Sequence, residues 1–236
     1  MADTSRLGLP LLDPAQAQKH VTVNEAFLRL DALSQITLAG MGTTVPPVSP
    51  VDGEVYAIGA GASGAWASED GKLAVFLNNG WDFVLPRPGW RAFDAGAGVA
   101  VTFDGVDWIE GAGAVSQNGA GFVHRTVETD HSLQSGSTSV VTAAIPGDAL
   151  VYGVTARVIS TLGGATSFDL GVSGSSNRYG SGFGVATGSW ARGLTGSPLA
   201  YYAPTDLVVT AGGGAFDGSG VLRVAVHFAE LTLPRT

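Results

Sequence analysis

The chain has 236 residues, a formal charge of −8 at neutral pH, 35 glycines and only 14% charged residues. No run of about 18 apolar residues occurs, which excludes an ordinary membrane-spanning helix, and the absence of cysteine excludes disulfides and thiolate chemistry. The first residues lack the basic segment and apolar core of a signal peptide, so we expect the protein to be made in the cytoplasm.

The negative charge is concentrated in the first half of the chain. Acidic residues outnumber Lys and Arg by 13 to 6 in residues 1–124, and by 7 to 6 in residues 125–236. Neither part contains a basic stripe, so the sequence predicts neither nucleic acid nor a membrane as a partner. Few charges and many glycines are typical of a β-rich protein that packs against neighbouring copies.

Residues 1–38 are predicted to form an N-terminal segment with one helix that anchors or oligomerises the protein. Thr22 and Glu25 fit a capping box at its start, and Arg29 and Asp31 are expected on its polar face. The opposite face carries apolar residues at helical spacing: Val23, Ala26, Phe27, Leu30 and Leu33. A helix this short is marginal alone, so it either covers a sheet or packs on other copies. The oligomerisation candidates are Val23, Phe27, Leu30 and Leu33.

Residues 39–110 are predicted to form a small antiparallel β domain. Pro and Gly make residues 39–52 an extended linker, and the pairs Asp70-Gly71, Asn79-Gly80 and Asp104-Gly105 indicate hairpin turns in the meander that follows. Large aromatic side chains either build such a small core or stack on sugar rings. Four tryptophans are candidates for either role: Trp66, Trp81, Trp90 and Trp108.

Residues 111–121 contain only small or uncharged residues and are predicted to be a flexible Gly/Ala linker. Residues 122–236 then show about eight short strands, which indicates a β-sandwich or jelly roll. The clearest strand is Val221–Leu231, whose apolar residues alternate with polar or small ones. The predicted fold class is therefore mainly β: a short N-terminal helix, a small antiparallel meander and a C-terminal β-sandwich.

The loop-rich stretch 173–204 combines aromatic side chains with Asn and Arg. Aromatic rings cover the apolar face of a sugar, while Asn and Arg bind its hydroxyls or carboxylates. The same residue types are enriched at subunit interfaces, and plain loop packing is the third interpretation. The candidates for glycan binding or an interface are Asn177, Arg178, Tyr179, Trp190, Arg192, Tyr201 and Tyr202.

No catalytic motif is recognisable. Acid pairs such as Asp104 and Asp107 have the chemistry of a glycosidase, but in hairpin turns they are expected to be solvated. His124 and His131 do not form a metal motif. We therefore predict no catalytic residue, no metal and no cofactor, and expect that the protein is not an enzyme.

The beginning of the chain resembles a known family. Leu7-Gly-Leu-Pro-Leu-Leu-Asp-Pro-Ala-Gln-Ala-Gln-Lys-His-Val-Thr-Val-Asn-Glu-Ala26, followed by Leu30-Asp-Ala-Leu33, is similar to the opening of phage-tail and gene-transfer-agent proteins of α-proteobacteria. The likeness continues to about residue 110 through Asp52-Gly53, Gly80-Trp81 and Gly89-Trp90. The C-terminal half also looks like the β domain often appended in such proteins. In that family the signature accompanies a domain of unknown function.

The resemblance implies a virion-type structural protein, a head spike or tail fibre on a phage-like particle. Some relatives attach the particle to the capsular polysaccharide of the recipient cell. We therefore expect a homo-oligomer, a trimer or pentamer, that contacts other spike, capsid or tail proteins and contributes to attachment to a host capsule. A spike base or connector without a glycan ligand and a capsule-degrading glycosidase are the alternatives.

Overall fold

The computed structural model describes residues 3–12 and 19–236. The fold is mainly β, as predicted, with 50% of the residues in strands and 8% in helix. The chain divides into two compact units, with the boundary in the sequence between Gly119 and Ala120. Among the described residues, no helix is both long enough and apolar enough to cross a membrane.

The first unit is built around one mixed sheet. Its helix is α1 (Lys19–Ser34), and its strands are β1 (Ile36–Thr43), β2 (Val55–Ile58), β3 (Leu73–Leu77), β4 (Gly80–Val84), β5 (Arg91–Asp94), β6 (Val99–Phe103), β7 (Trp108–Glu110) and β8 (Ala112–Val115). Seven of the strands form a sheet in the order β4-β3-β2-β1-β5-β6-β7. The central strand β1 runs parallel to both β2 and β5. The predicted antiparallel meander is therefore correct for the outer hairpins and wrong at the centre.

β1 begins where residues alternate between the two faces of the sheet. Ile36 and Leu38 are buried and Thr37 is exposed, which is the period of two expected of a strand. Gly40 and Gly42 follow, and the register with β2 shifts beside both of them. The predicted linker 39–52 thus contains the second half of a central strand, and predicted linker 111–121 contains β8.

The predicted capping box is wrong, because α1 has already begun by Lys19 and both Thr22 and Glu25 lie inside it. The buried face of the helix also differs from the predicted one. Asp31 and Ala32 are at most 2% exposed, whereas Leu30 is 53% exposed. Asp31 lies one helical turn after Phe27, on the same side of the helix. Val23, Phe27 and Leu33 are half-buried and Leu33 packs against the core, so the apolar stripe is left open mainly at Ala26 and Leu30.

A strap of residues 3–12 explains the burial of Asp31. The carboxylate accepts hydrogen bonds from Thr4 Oγ1 at 2.8 Å, from the Arg6 N–H at 2.9 Å and from the Leu7 N–H. The Arg6 guanidinium donates to the carbonyls of Ala32 and Gln35 at the helix C-terminus, where a cation complements the helix dipole. Asp31 is therefore an inward-facing anchor, in contrast to its predicted polar exposed position. Residues 13–18 of the family signature lie outside the described residues.

The tryptophans of the first unit belong to its core. Trp66 is fully buried, with its ring centroid 5.0 Å from that of Trp81 and 5.5 Å from that of Tyr56. Trp90 and Trp108 are half-buried and pack against the main apolar cluster. Of the two interpretations left open by the sequence, the structure supports core packing.

The second unit is a β-sandwich. Its strands are β9 (Gly121–Ser132), β10 (Thr138–Ile145), β11 (Ala149–Ser160), β12 (Ser167–Gly171), β13 (Phe183–Gly184), β14 (Trp190–Tyr201), β15 (Thr205–Gly212) and β16 (Val221–Leu231). One sheet has the order β10-β15-β12-β13, and the strands of this unit in the other follow the order β14-β11-β16-β9. Residues from both sheets, such as Phe168, Leu207, Val154 and Phe228, form one buried cluster.

Strand β16 has the bounds predicted for it, and it lies in the interior of its sheet. Leu222, Val224, Val226 and Phe228 are at most 1% exposed and face the core. Strand β14, by contrast, covers a stretch predicted to be mainly loops. It lies at the sheet edge, the position in which a proline such as Pro198 is tolerated because no ladder donor is lost.

Candidate functional site

The outer face of the sheet β14-β11-β16-β9 carries two parallel rows of side chains. The strand register places Trp190, Arg157, Arg223 and Asp130 opposite one another in the first row. The second row consists of Arg192, Thr155, Ala225 and Glu128. In β14, β11 and β16 the residues that alternate with these, namely Ala191, Ala156 and Val224, are buried, so both rows face away from the core. Together they form a surface that we call the outer-face patch.

Trp190 and Arg192 form the β14 end of the patch. The Trp190 side chain is 58% exposed, although it is a large apolar group. The Arg192 guanidinium carbon lies 5.6 Å from the centroid of the Trp190 ring, within the range of a cation–π contact. Such a contact uses the charge of the guanidinium and does not consume its N–H donors, which could therefore bind a ligand.

Arg157 and Arg223 occupy the middle of the first row and have different partners. Arg223 donates to both oxygens of Asp130, at 2.6 and 2.8 Å, and Glu128 lies 3.6 Å away. These bonds hold the pKa of Asp130 below its usual range. Arg157 instead donates to the carbonyl of Gly188 at 2.9 Å. The charge of Arg223 is thus neutralised by carboxylates of the same chain, whereas the hydrogen bond that Arg157 makes among the described residues is to a carbonyl.

The floor of the patch is made by short side chains. Thr155 and Ala225 lie between the arginines and Glu128, and the concavity above them has a volume of about 220 Å³. Beside it, His227 joins Thr155 and Thr126 by hydrogen bonds of 2.9 and 3.1 Å. These cross-strand bonds keep the floor rigid across three strands, so the larger side chains at its rim are held by a fixed base.

Only part of the predicted binding set reaches this surface. Tyr179 and Tyr201 are 2% and 8% exposed, and their hydroxyls bond to each other at 3.0 Å. Burial, followed by this bond, raises the pKa of Tyr179. Both residues belong to the core, which corrects their prediction as surface residues for a glycan or an interface.

The other candidates are dispersed. Asn177 is exposed in a turn between β12 and β13, and Arg178 beside it is half-buried. The Arg178 Nε is buried without a hydrogen-bond partner among the described residues. Tyr202 is 85% exposed just after β14, outside the lining of the patch. Of the seven predicted residues, the structure brings together Trp190 and Arg192.

Sequence reasoning missed Arg157, Arg223 and Thr155. The alternation along Val221–Leu231 places Arg223 opposite the buried residues, and a similar alternation in β11 places Thr155 and Arg157 outward. The alternation within a strand does not reveal the order of strands in the sheet. β14 lies beside β11, so that Trp190 is opposite Arg157, which is 33 residues earlier in the chain. No local sequence pattern predicts that pairing.

Known proteins resemble parts of this chain. A family described as "Protein of unknown function (DUF2793)" matches residues 23–109, which lie within the first unit and within the segment predicted to resemble a family. One chain of the structure "Cyanophage Pam1 capsid asymmetric unit" is 23% identical with a TM-score of 0.35, over 50% of this chain and 91% of that chain. A likeness of this size carries no argument about function. No curated protein matches.

Proposed function

We propose that this protein is a structural component of a phage-like particle, a surface spike or fibre that binds a capsular polysaccharide through the outer-face patch. The observation that carries the binding role is Trp190, a largely exposed indole beside a concavity rimmed by arginines. An aromatic ring next to forked donors suits sugars, because the ring covers their C–H face while the donors bind their hydroxyls.

Assignment to a particle is supported by the sequence of the first unit. Residues 7–110 resemble phage-tail and gene-transfer-agent proteins, and the matched family covers residues 23–109 of this segment. That unit would then anchor or assemble the spike, and the second unit would carry the ligand. The family description assigns no function, so the proposal rests on the signature residues themselves.

A homo-oligomer is part of the proposal. The apolar stripe of α1 is left partly or largely exposed in one chain, with Leu30 at 53%. Burial of such side chains between copies contributes roughly 25 cal/mol per Å² of apolar surface. A helix packed at a symmetry axis, in a trimer or pentamer, would cover Ala26 and Leu30, the stripe residues that remain exposed in one chain.

The proposed role is non-catalytic. The two acids on the outer face are Glu128 and Asp130, and Asp130 is held in a two-point pair by Arg223 that lowers its pKa. A glycosidase needs one carboxyl with a raised pKa to protonate the leaving group. Release of reducing ends from a bound capsule would contradict this part of the proposal.

The test is direct binding of purified capsular polysaccharides to the full chain and to Trp190→Ala. We expect the variant to weaken binding about tenfold or more, because ring stacking is lost, with an unchanged circular dichroism spectrum. Tyr202→Ala removes an even more exposed ring outside the patch and is expected to bind normally. Loss of binding in Tyr202→Ala but not in Trp190→Ala would place the site elsewhere and overturn the assignment.

A further inference from the structure

The outer-face patch has an uneven charge. Three of the six arginines in residues 125–236 line it: Arg157, Arg192 and Arg223. Both acids of the two rows, Glu128 and Asp130, lie on β9 at the opposite end from Trp190. The β14 end is therefore cationic and aromatic, although the whole chain has a formal charge of −8.

Two of these arginines are left for a ligand. The charge of Arg223 is paired with the carboxylates of Asp130 and Glu128. Within the part of the chain that the structure describes, neither Arg157 nor Arg192 has a carboxylate partner. Arg157 donates to the Gly188 carbonyl, and the Arg192 guanidinium lies over the Trp190 ring. Each guanidinium has five N–H donors in a fixed fork, so most of their capacity remains unused.

The register sets the spacing of these two groups. Arg157 pairs with Trp190, and Arg192 lies two residues further along β14, so the arginines are diagonal neighbours on one face. Such neighbours are about 7–8 Å apart at the backbone. Arg157 lies across the strand pair from Trp190 and Arg192 lies two residues along the strand from it, so a sugar ring stacked on the indole would be near both guanidinium groups.

We propose that the patch selects an acidic polysaccharide, one whose sugars carry carboxylates, and that Arg157 and Arg192 bind that carboxylate. This inference rests on the proposed glycan-binding function and names its ligand class. A guanidinium matches a carboxylate with two parallel hydrogen bonds, which a neutral hydroxyl does not offer. Trp190 contributes stacking to any sugar, and the arginines supply the discrimination between acidic and neutral ones.

The experiment uses the full-length protein on an array of bacterial capsular polysaccharides, both neutral and carboxylated. The tightest binder is then chemically reduced at its carboxyl groups, which keeps the backbone and removes the charge. We expect the bound set to be acidic, and reduction to weaken binding about tenfold or more because charge-assisted bonds are lost. Raising the salt concentration should weaken binding to the acidic form, since the charges lie at the surface.

Two variants identify the groups responsible. Arg157→Gln and Arg192→Gln are each expected to weaken binding of the carboxylated polysaccharide about tenfold, and to weaken binding of its carboxyl-reduced form by a smaller factor, because only hydrogen bonds to neutral hydroxyls are then lost. Arg157→Lys keeps the charge and loses the fork, so it should recover only part of the affinity. Arg87→Gln changes the net charge equally at an exposed position of the first unit and serves as the matched control.

The possible results separate this inference from the function on which it rests. Equal binding of native and carboxyl-reduced polysaccharide overturns the acidic ligand and leaves a neutral-glycan spike. Equal weakening by Arg87→Gln and Arg157→Gln overturns the assigned residues, because the effect is then one of total charge. Binding to no polysaccharide on the array overturns both the ligand class and the glycan-binding function.

Discussion

Asp31 is the buried carboxylate on which the N-terminal strap depends. It is 2% exposed and its two oxygens accept three hydrogen bonds from residues 4–7. A buried donor that loses its acceptor retains its full cost of desolvation. Asp130 makes a bidentate ion pair on an exposed surface, where solvent screening reduces the contribution to stability. Burial thus distinguishes a structural carboxylate from one that organises a surface.

Asp31→Ala is expected to lower the free energy of unfolding of the first unit by about 2–4 kcal/mol, because three donors lose their partner. Thr4→Val removes one of these bonds and should cost about 1 kcal/mol. Urea denaturation followed by tryptophan fluorescence measures both. Asp52→Ala, at an exposed carboxylate, is the control, and an equal effect of Asp31→Ala and Asp52→Ala would contradict the anchoring role.

His131 makes the stability of the second unit depend on pH. Burial lowers its pKa, and its Nε2 lies 2.7 Å from the Oγ of the fully buried Ser139. The unfolded chain, with a pKa of about 6.5, then binds the proton more readily than the folded one. This contribution to stability is complete above that pH and is lost as the pH falls below it.

We therefore expect His131→Gln to reduce the loss of unfolding free energy between pH 7 and pH 5. Denaturation curves at several pH values give this slope for wild type and variant. His124→Gln removes a histidine from an exposed position on the other face of the same strand and serves as the matched control. An unaltered slope in His131→Gln would show that other groups produce the pH dependence.

At the scale of elements, prediction succeeded where one strand shows its own pattern. The alternation of β16 can be seen locally, and that strand has the predicted bounds. The predicted turn Asn79-Gly80 is one residue too late: Asn78 and Asn79 form the turn between β3 and β4, both with positive φ, and Gly80 begins β4. β14 was missed because Gly193, Gly196 and Pro198 interrupt its alternation. The parallel pairing of β1 was missed because pairing depends on strands distant in the sequence.

The glycines of β14 also explain how the patch is built. A Cβ on Gly193 would lie 2.3 Å from the Tyr179 carbonyl oxygen and 2.8 Å from that of Val154. The strand therefore approaches its neighbours more closely than a larger residue allows. Gly193 directly follows Arg192, so this close packing fixes the backbone that carries Arg192 and Trp190.

Gly193→Ala is expected to lower the unfolding free energy of the second unit by about 1–3 kcal/mol, because the backbone must move apart. It should also weaken polysaccharide binding by displacing the patch residues. Gly196→Ala in the same strand meets no atom within 4 Å and should change stability by less than about 0.5 kcal/mol. Equal effects of the two substitutions would refute the close-packing explanation.

At the scale of the whole molecule, composition predicted the mainly β class, and the aromatic and arginine residues of the stretch 173–204 included Trp190 and Arg192, which line the outer-face patch. The remaining patch residues are assembled by a sandwich whose chain crosses repeatedly between sheets. Such long-range pairing is fixed by the packing of the complete core. The buried face of α1 was missed for a related reason: the strap of residues 3–12 buries Asp31 through hydrogen bonds that the helix sequence does not show, while Ala26 and Leu30 remain exposed.

Leu30→Glu is expected to lower the mass of the protein's oligomer in solution, because a charge at the exposed stripe opposes contact between copies. Light scattering after size exclusion should give a trimer or pentamer for the wild-type protein and a smaller species for the variant. Val48→Glu adds the same charge at a fully exposed residue outside the helix and should retain the assembly. A monomeric wild-type protein would overturn the proposed self-association.

The edge position of β14 has a consequence for the way a long glycan would be held. Trp190 and Arg192 lie on the outermost strand of this sheet, and the concavity beside them is open rather than enclosed. A polymer can be laid across such a border anywhere along its length, without its terminus being threaded into a hole. Every repeating unit of the polymer would then offer an equivalent binding site. A spike with several copies could move along the capsule, because one copy can dissociate and rebind while the others remain bound.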